Sequence, residues 1–219
     1  VTAAELIETL SEPLLSSARI SSKVRMPPPT VKGMKTCSET LSTRSRTMAR
    51  PFTVPCALHL DHGDSVDLAE TCVLAGFTSV MLDYSAKPFD ENVAALRQVV
   101  AIARPRGVTV EGEIGHVGRV DNATFEGDTI STLTVPAEAA DYAARTGVDA
   151  LAVSIGNAHG QYTKLPQFDF ECLGRIRAAV SVPLVLHGGS GTPDDDLKRA
   201  ISLGIAKVNV ATDLVVTIR

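Results

Sequence analysis

Tryptophan is absent from the 219-residue chain, and aromatic residues make up only 4% of it. Its core must therefore be packed from Val, Ile, Leu and Ala, the side chains that fill the space between parallel strands and their covering helices. No run of 18 apolar residues occurs, so no membrane-spanning helix is expected. A basic excess is missing too. The 21 Lys and Arg stand against 25 Asp and Glu, and a net charge of −4 argues against a nucleic-acid binder. The four cysteines Cys37, Cys56, Cys72 and Cys172 form no CxxC pair, and they read as reduced thiols of a cytoplasmic protein rather than as disulfides. What remains is 44% hydrophobic residues, enough for a large buried core.

From Pro55 onward, short apolar runs alternate with helical patterns. Strands are predicted at 56–62, 79–85, 108–115, 150–156, 183–189 and 207–212. Helices are predicted at 65–75, 91–104, 136–146, 170–180 and 194–203, and four of the five run into a glycine, the usual C-terminal stop. Strand–helix alternation implies right-handed βαβ units and a parallel sheet. Six units suit an α/β barrel without closing an eight-stranded one. Residues 1–54 read differently. An amphipathic helix is predicted at 2–15, followed by an irregular basic stretch rich in Ser, Thr, Arg and Lys that holds Pro27–Pro29 and one acidic residue. The expected organisation is an N-terminal helix with an irregular segment (1–54) and a barrel region (55–219) that ends before a last barrel helix can form.

Three of the five histidines fall at the ends of predicted strands: His62 in HLDHG, His159 in GNAHG and His187 in LVLHGGSG. Parallel α/β proteins bind ligands at that edge of the sheet. One such histidine alone would read as a core or loop residue. Three at equivalent positions, each beside glycine, suit a divalent metal with an open coordination position. Asp61 precedes His62, and if the strand ends there the two side chains can share one site, where an aspartate suits proton handling. His59 lies on the face of Asp61 and reads as a supporting hydrogen-bond partner. Glu111 and Glu113 share one face of a strand expected to be buried on both, which requires cations or metal as partners. Asp83 adds a carboxylate at the same edge. The long polar loop 115–134 offers Asp121, Glu126 and Asp128 as mobile bases. HGGSG and KVNVAT supply backbone N–H groups, a serine hydroxyl, Asn and Thr, the makings of an anion cradle.

The segments HLDHG, MLDYS with PFDENV, VEGEIG, GNAHGQY, PQFDF, PLVLHGGSG and KVNVATDL, in this order from about Pro55 to Leu214, resemble the class II fructose- and tagatose-bisphosphate aldolases. The resemblance implies a (β/α)8 barrel, here an incomplete one, usually assembled as a dimer or tetramer. It implies reversible aldol cleavage of a ketose 1,6-bisphosphate to dihydroxyacetone phosphate and an aldehyde, with catalytic Zn²⁺. By position it makes His62, His159 and His187 the metal ligands, Glu113 an alternative ligand with Asp83 close by, and Asp61 the acid at the aldehyde oxygen. It assigns Gly160, Gly188, Ser190, Asn209 and Thr212 to dihydroxyacetone phosphate. It also implies, for some members, a monovalent cation on backbone carbonyls near His159 and His187.

One departure stands out. Where the family has Gly-Gly and then a glutamate that removes the C1 proton, this chain has Gly118-Arg119-Val120-Asp121, which makes Asp121 the matching base, one methylene shorter. A catalytically impaired protein that binds metal and sugar phosphate is the alternative reading. A Schiff-base aldolase is a further rival, but the sixth-strand lysine it needs is missing from 150–156, and Lys207 lies on the last strand.

Overall fold

The protein is described by a computed structural model at residues 19–21, 54–120, 132–160, 162 and 165–214. The expected helix at 2–15 and most of the basic stretch lie outside the described residues.

Five strand–helix units follow one another: β2 (His59–Gly63) with α1 (Val66–Leu74), β3 (Ser79–Leu82) with α2 (Phe89–Ala103), β4 (Thr109–Ile114) with α3 (Pro136–Thr146), β6 (Ala150–Val153) with α4 (Phe170–Ala179), and β8 (Leu184–Leu186) with α5 (Asp194–Ser202). The last strand is β9 (Ile205–Asn209). Local chemistry starts the helices. Ser65 accepts the Leu68 N–H at the head of α1, and Asp169 accepts the Cys172 N–H at the head of α4. Asp194, Asp195 and Asp196 open α5, where the helix dipole favours negative charge.

Every predicted strand is present but shorter. Asp83, Ser85 and His187 leave the ladder and enter loops at the C-terminal edge, so the site-bearing ends are not strand. Three strands appear where none was expected. β1 (Arg19–Ser21) comes from the stretch read as irregular, and β5 (Arg119–Val120) pairs with β7 (His159–Gly160) in a separate two-stranded ribbon. None of the three carries an apolar run, so hydrophobic patterning has nothing to register.

The main sheet is wholly parallel, in the order β1-β9-β8-β6-β4-β3-β2. It curls. β2 and β9 are not ladder neighbours, yet Asn209 Nδ2 lies 3.0 Å from Asp61 Oδ1, and Lys207 Nζ lies 3.2 Å from His59 Nε2. Contacts across the concave face make the sheet part of a (β/α)8 barrel, with seven strands among the described residues. Outward-facing Val80, Val110, Leu151, Leu184 and Ile205 pack with Leu96, Leu173 and Ile176 of the helices in the main core. The inward face carries a small apolar layer of Met81, Ala152 and Val185, with polar residues filling the rest. Among the described residues no helix is long and apolar enough to cross a membrane, and Cys56 and Cys172 are free thiols.

Candidate active site

Asp61 and His62 reach the same site by a route the sequence did not suggest. The strand does not end at His62. It continues to Gly63, and three residue steps along β2 (Leu60 to Gly63) match two along β3 (Val80 to Leu82). This bulge holds His62 in the left-handed region, at φ 50, so two adjacent side chains can turn to one side. Gly63 is required there, because a Cβ would sit 2.6 Å from the Met81 carbonyl oxygen.

His159 arrives on β7, where its N–H donates to the Gly118 carbonyl at 2.8 Å. His187 follows β8 directly and is wholly buried. Asn157 donates to the His187 carbonyl at 3.0 Å, and the Tyr162 hydroxyl lies 2.9 Å from the Ala158 carbonyl and 3.0 Å from the Gly188 carbonyl. Tyr162 thus staples the His159 loop to the His187 loop.

Held this way, the three imidazoles converge, with ring centroids separated by 4.7, 4.5 and 5.5 Å. One nitrogen from each ring lies within 4.8 Å of the others. His62, Asp83 and Glu113 form a second group on the same criterion, with His62 shared between them. Asp83 stands behind His62, its Oδ2 2.7 Å from Nδ1, and Glu111 stands behind His187, its Oε1 2.9 Å from Nε2.

Burial alone would raise the Asp83 carboxyl, but the hydrogen bond and charge of His62, with two hydrogen bonds from Ser85, hold it well below the usual carboxylate range. Glu111 is likewise lifted by burial and pulled down further by the His187 hydrogen bond and the Lys207 ammonium. Burial holds the His187 imidazolium pKa below its ordinary value, against the opposing pull of Glu111. Ionised carboxylates only accept, so each histidine donates from its far nitrogen, and in the neutral form each turns a lone pair towards the other ring. Those lone-pair nitrogens, His62 Nε2 and His187 Nδ1, are 2.8 Å apart. Two lone pairs at that distance repel unless a cation lies with them, so this donor set fits a divalent metal. Glu113 differs from its neighbours. Burial and then the nearby Asp83 charge push it well above the usual carboxylate range, which favours the protonated acid.

Beside the histidines lies a cleft lined by Asp61, His159, Gly160, Gly188, Ser190, Asn209 and Thr212, together with Ala211. The Ser190 hydroxyl oxygen accepts the Ala211 and Asp213 N–H groups at 3.1 and 3.3 Å, which leaves its own hydrogen available to donate. Asn209 donates to Asp61, and its buried Oδ1 has no hydrogen-bond partner among the described residues. An unsatisfied acceptor next to a cleft suits a hydroxyl-bearing ligand. Asp121, Glu126 and Asp128 lie outside the described residues.

From the sequence Glu111 was expected to need a cation or metal, but Lys207 was not matched to it, and Asn157 and Tyr162 were passed over. A lysine at an inward position of the last strand, two residues from Asn209, was the signal that Glu111 had a cationic partner; the bond between them is 2.6 Å. The same bond weighs against Lys207 as a Schiff-base nucleophile, since its amine is engaged by a carboxylate. Asn157 and Tyr162 act on backbone groups, which leave no pattern in sequence.

Residues 24–218 match the family model described as class-II fructose-bisphosphate aldolase, so the likeness begins well before Pro55. The chain is 46% identical over 181 residues to the uncharacterized protein YdjI of Escherichia coli, covering 82% of this chain and 64% of that protein. It therefore spans under two thirds of that relative's length. The crystal structure of the Escherichia coli YdjI aldolase superposes with a TM-score of 0.71 at 36% identity, covering 97% of this chain and 74% of that one. A fructose-1,6-bisphosphate aldolase candidate from Coccidioides immitis superposes at 0.74 with 31% identity, covering 90% of this chain and 68% of that one.

Proposed function

The chain belongs to the class-II fructose-bisphosphate aldolase family, and from that premise we propose that it is a metal-dependent lyase. The reaction is the reversible cleavage of a ketose 1,6-bisphosphate, of fructose or tagatose type, to dihydroxyacetone phosphate and an aldehyde. The observation that carries this reading is the convergence of His62, His159 and His187 from separate strand ends onto one edge of the barrel, beside a cleft that ends in Ser190 and Asn209.

His62, His159 and His187 would hold the ion, with Glu113 and Asp83 able to receive it in the adjoining group, and imidazole donors favour zinc. Bound there, a divalent ion supplies Lewis-acid polarisation of the ketose carbonyl. The chain's own groups do the rest. Asp121, which follows Val120 in the chain, takes the C1 proton, with Glu126 as the second choice. Asp61, oriented by Asn209, serves the aldehyde oxygen. Asn209 Oδ1 accepts a substrate hydroxyl, while Gly160, Gly188, Ser190 and Thr212 grip the phosphate and fix the approach. Backbone carbonyls of the two stapled loops offer a place for a monovalent cation. The working protein is read as a cytoplasmic homodimer or homotetramer.

Metal analysis of the purified chain, combined with retro-aldol assays on fructose and tagatose 1,6-bisphosphates before and after chelation, tests the proposal. Chelator-sensitive turnover supports it. Turnover unaffected by chelation, or trapped by borohydride, overturns it.

The shortened base motivates a second reading, a protein that binds metal and sugar phosphate with impaired turnover. Binding without cleavage that persists after Asp121→Glu would favour it.

A further inference from the structure

We infer that Glu111, clamped by Lys207, is a positioning residue that fixes the tautomer of His187 and thereby selects the nitrogen offered to the metal. The inference rests on the metal-site reading above, but its test can be separated from it.

The pair lies inside the barrel, away from the cleft. Lys207 projects from β9, and its Nζ is 2.6 Å from Glu111 Oε2 on β4. The other carboxylate oxygen, Oε1, faces His187 Nε2 at 2.9 Å. Side-chain exposure is 13% for Lys207, 3% for Glu111 and zero for His187, so water cannot easily substitute for any of the three. With one oxygen on each partner, the carboxylate plane has no freedom to turn. Lys207 is itself braced from β2. Its Nζ donates to His59 Nε2 at 3.2 Å, which obliges His59 to donate from Nδ1 to Ser79 Oγ at 2.8 Å.

A neutral imidazole left alone populates both tautomers, and one of them would point an N–H at the cation. Here Glu111 can only accept, so the proton stays on Nε2 and Nδ1 carries the lone pair. Nδ1 is the nitrogen 2.8 Å from His62 Nε2, and it also lies 3.4 Å from the Asn209 amide donor. Residues on four strands thus agree on one proton position. A buried ion pair of this kind adds little net stability over well-packed apolar residues, so its value lies in orientation.

The test uses the full chain with Glu111 and Lys207 both replaced by Met, alongside Glu111→Gln. Two readouts are taken: zinc affinity by chelator competition, and the imidazole ¹⁵N–¹H correlation spectrum of the metal-free protein. Wild type should show His187 as Nε2–H alone. The double variant should unfold at a near-wild-type midpoint, show a mixture with Nδ1–H, and bind zinc about 10- to 100-fold more weakly. If the double variant does not fold, Glu111→Gln decides by the same spectrum, because its amide can donate or accept and should also give a mixture. A pure Nε2–H signal in a folded variant, with zinc affinity within about twofold of wild type, overturns the inference. Should wild type bind no metal, the metal-site reading fails, and the spectrum alone still decides the role of Glu111.

Discussion

A methyl group on Gly188 would lie 1.9 Å from the Ala158 carbonyl oxygen, so the loops carrying His187 and His159 meet at a point where no side chain fits. Gly188 also has φ 66, a left-handed conformation that costs other residues about 1–2 kcal/mol. Gly188→Ala is expected to push the loops apart and break the Tyr162 staple. It should destabilise the chain by more than about 2 kcal/mol and weaken metal binding together with stability. Denaturant titration alongside metal titration checks this. A variant with unchanged midpoint and affinity would contradict it.

Removal of one imidazole separates ligands from neighbours. His159→Ala should reduce bound metal from about one ion per chain to well below that, with little change in fold because His159 is only half-buried. Elemental analysis and circular dichroism of the same sample measure both. Full metal occupancy in the variant would remove His159 from the proposed set.

The base can be found without the complete reaction. Exchange of the C1 proton of dihydroxyacetone phosphate with solvent deuterium needs only proton abstraction. Asp121→Asn should slow that exchange by about 10²- to 10⁴-fold, whereas Asp121→Glu should retain or increase it. If Glu126→Gln causes the loss instead, the assignment moves to Glu126.

His59 makes an acid-sensitive element of the barrel interior. Burial pulls its pKa from 6.5 to about 4, with Lys207 acting in the same direction and Glu111 and Asp61 opposing. Between those values the unfolded chain takes up a proton that the folded chain refuses. The stability linked to His59 is therefore complete above about pH 6.5 and is lost as pH falls to 4, a cost of roughly 3 kcal/mol. His187, shifted in the same direction, adds to the loss. Unfolding free energies measured from pH 7 to pH 4 should fall less steeply in His59→Gln than in wild type. Identical slopes would refute the assignment.

Short apolar runs alternating with helical patterns, and glycine stops, located β2, β3, β4, β6, β8, β9 and all five helices, because burial between sheet and helix writes itself into hydrophobicity. They missed β1, β5 and β7, which are two or three residues long and held by neighbouring backbone. Strand ends were overrun for a related reason: Asp83 and His187 follow the apolar run directly in sequence but leave the ladder in space. Within the site, the histidines stood out by their place beside glycine at strand ends. Asp61 beside His62 was legible as a pair, but the bulge that lets them cooperate was not, since a register shift depends on β3 as much as on β2. Glu111 with Lys207 required pairing residues 96 positions apart, and only the curl of the sheet brings them together.

The bulge at Asp61 and His62 makes this edge of the barrel sensitive to counting. Ordinary strands tolerate exchange of one apolar residue for another, because alternation survives. Here the aim of both side chains depends on one surplus residue between Leu60 and Gly63. Deleting a single position would restore a regular ladder, send aspartate and histidine to opposite faces, and leave a better-formed strand serving a disassembled site.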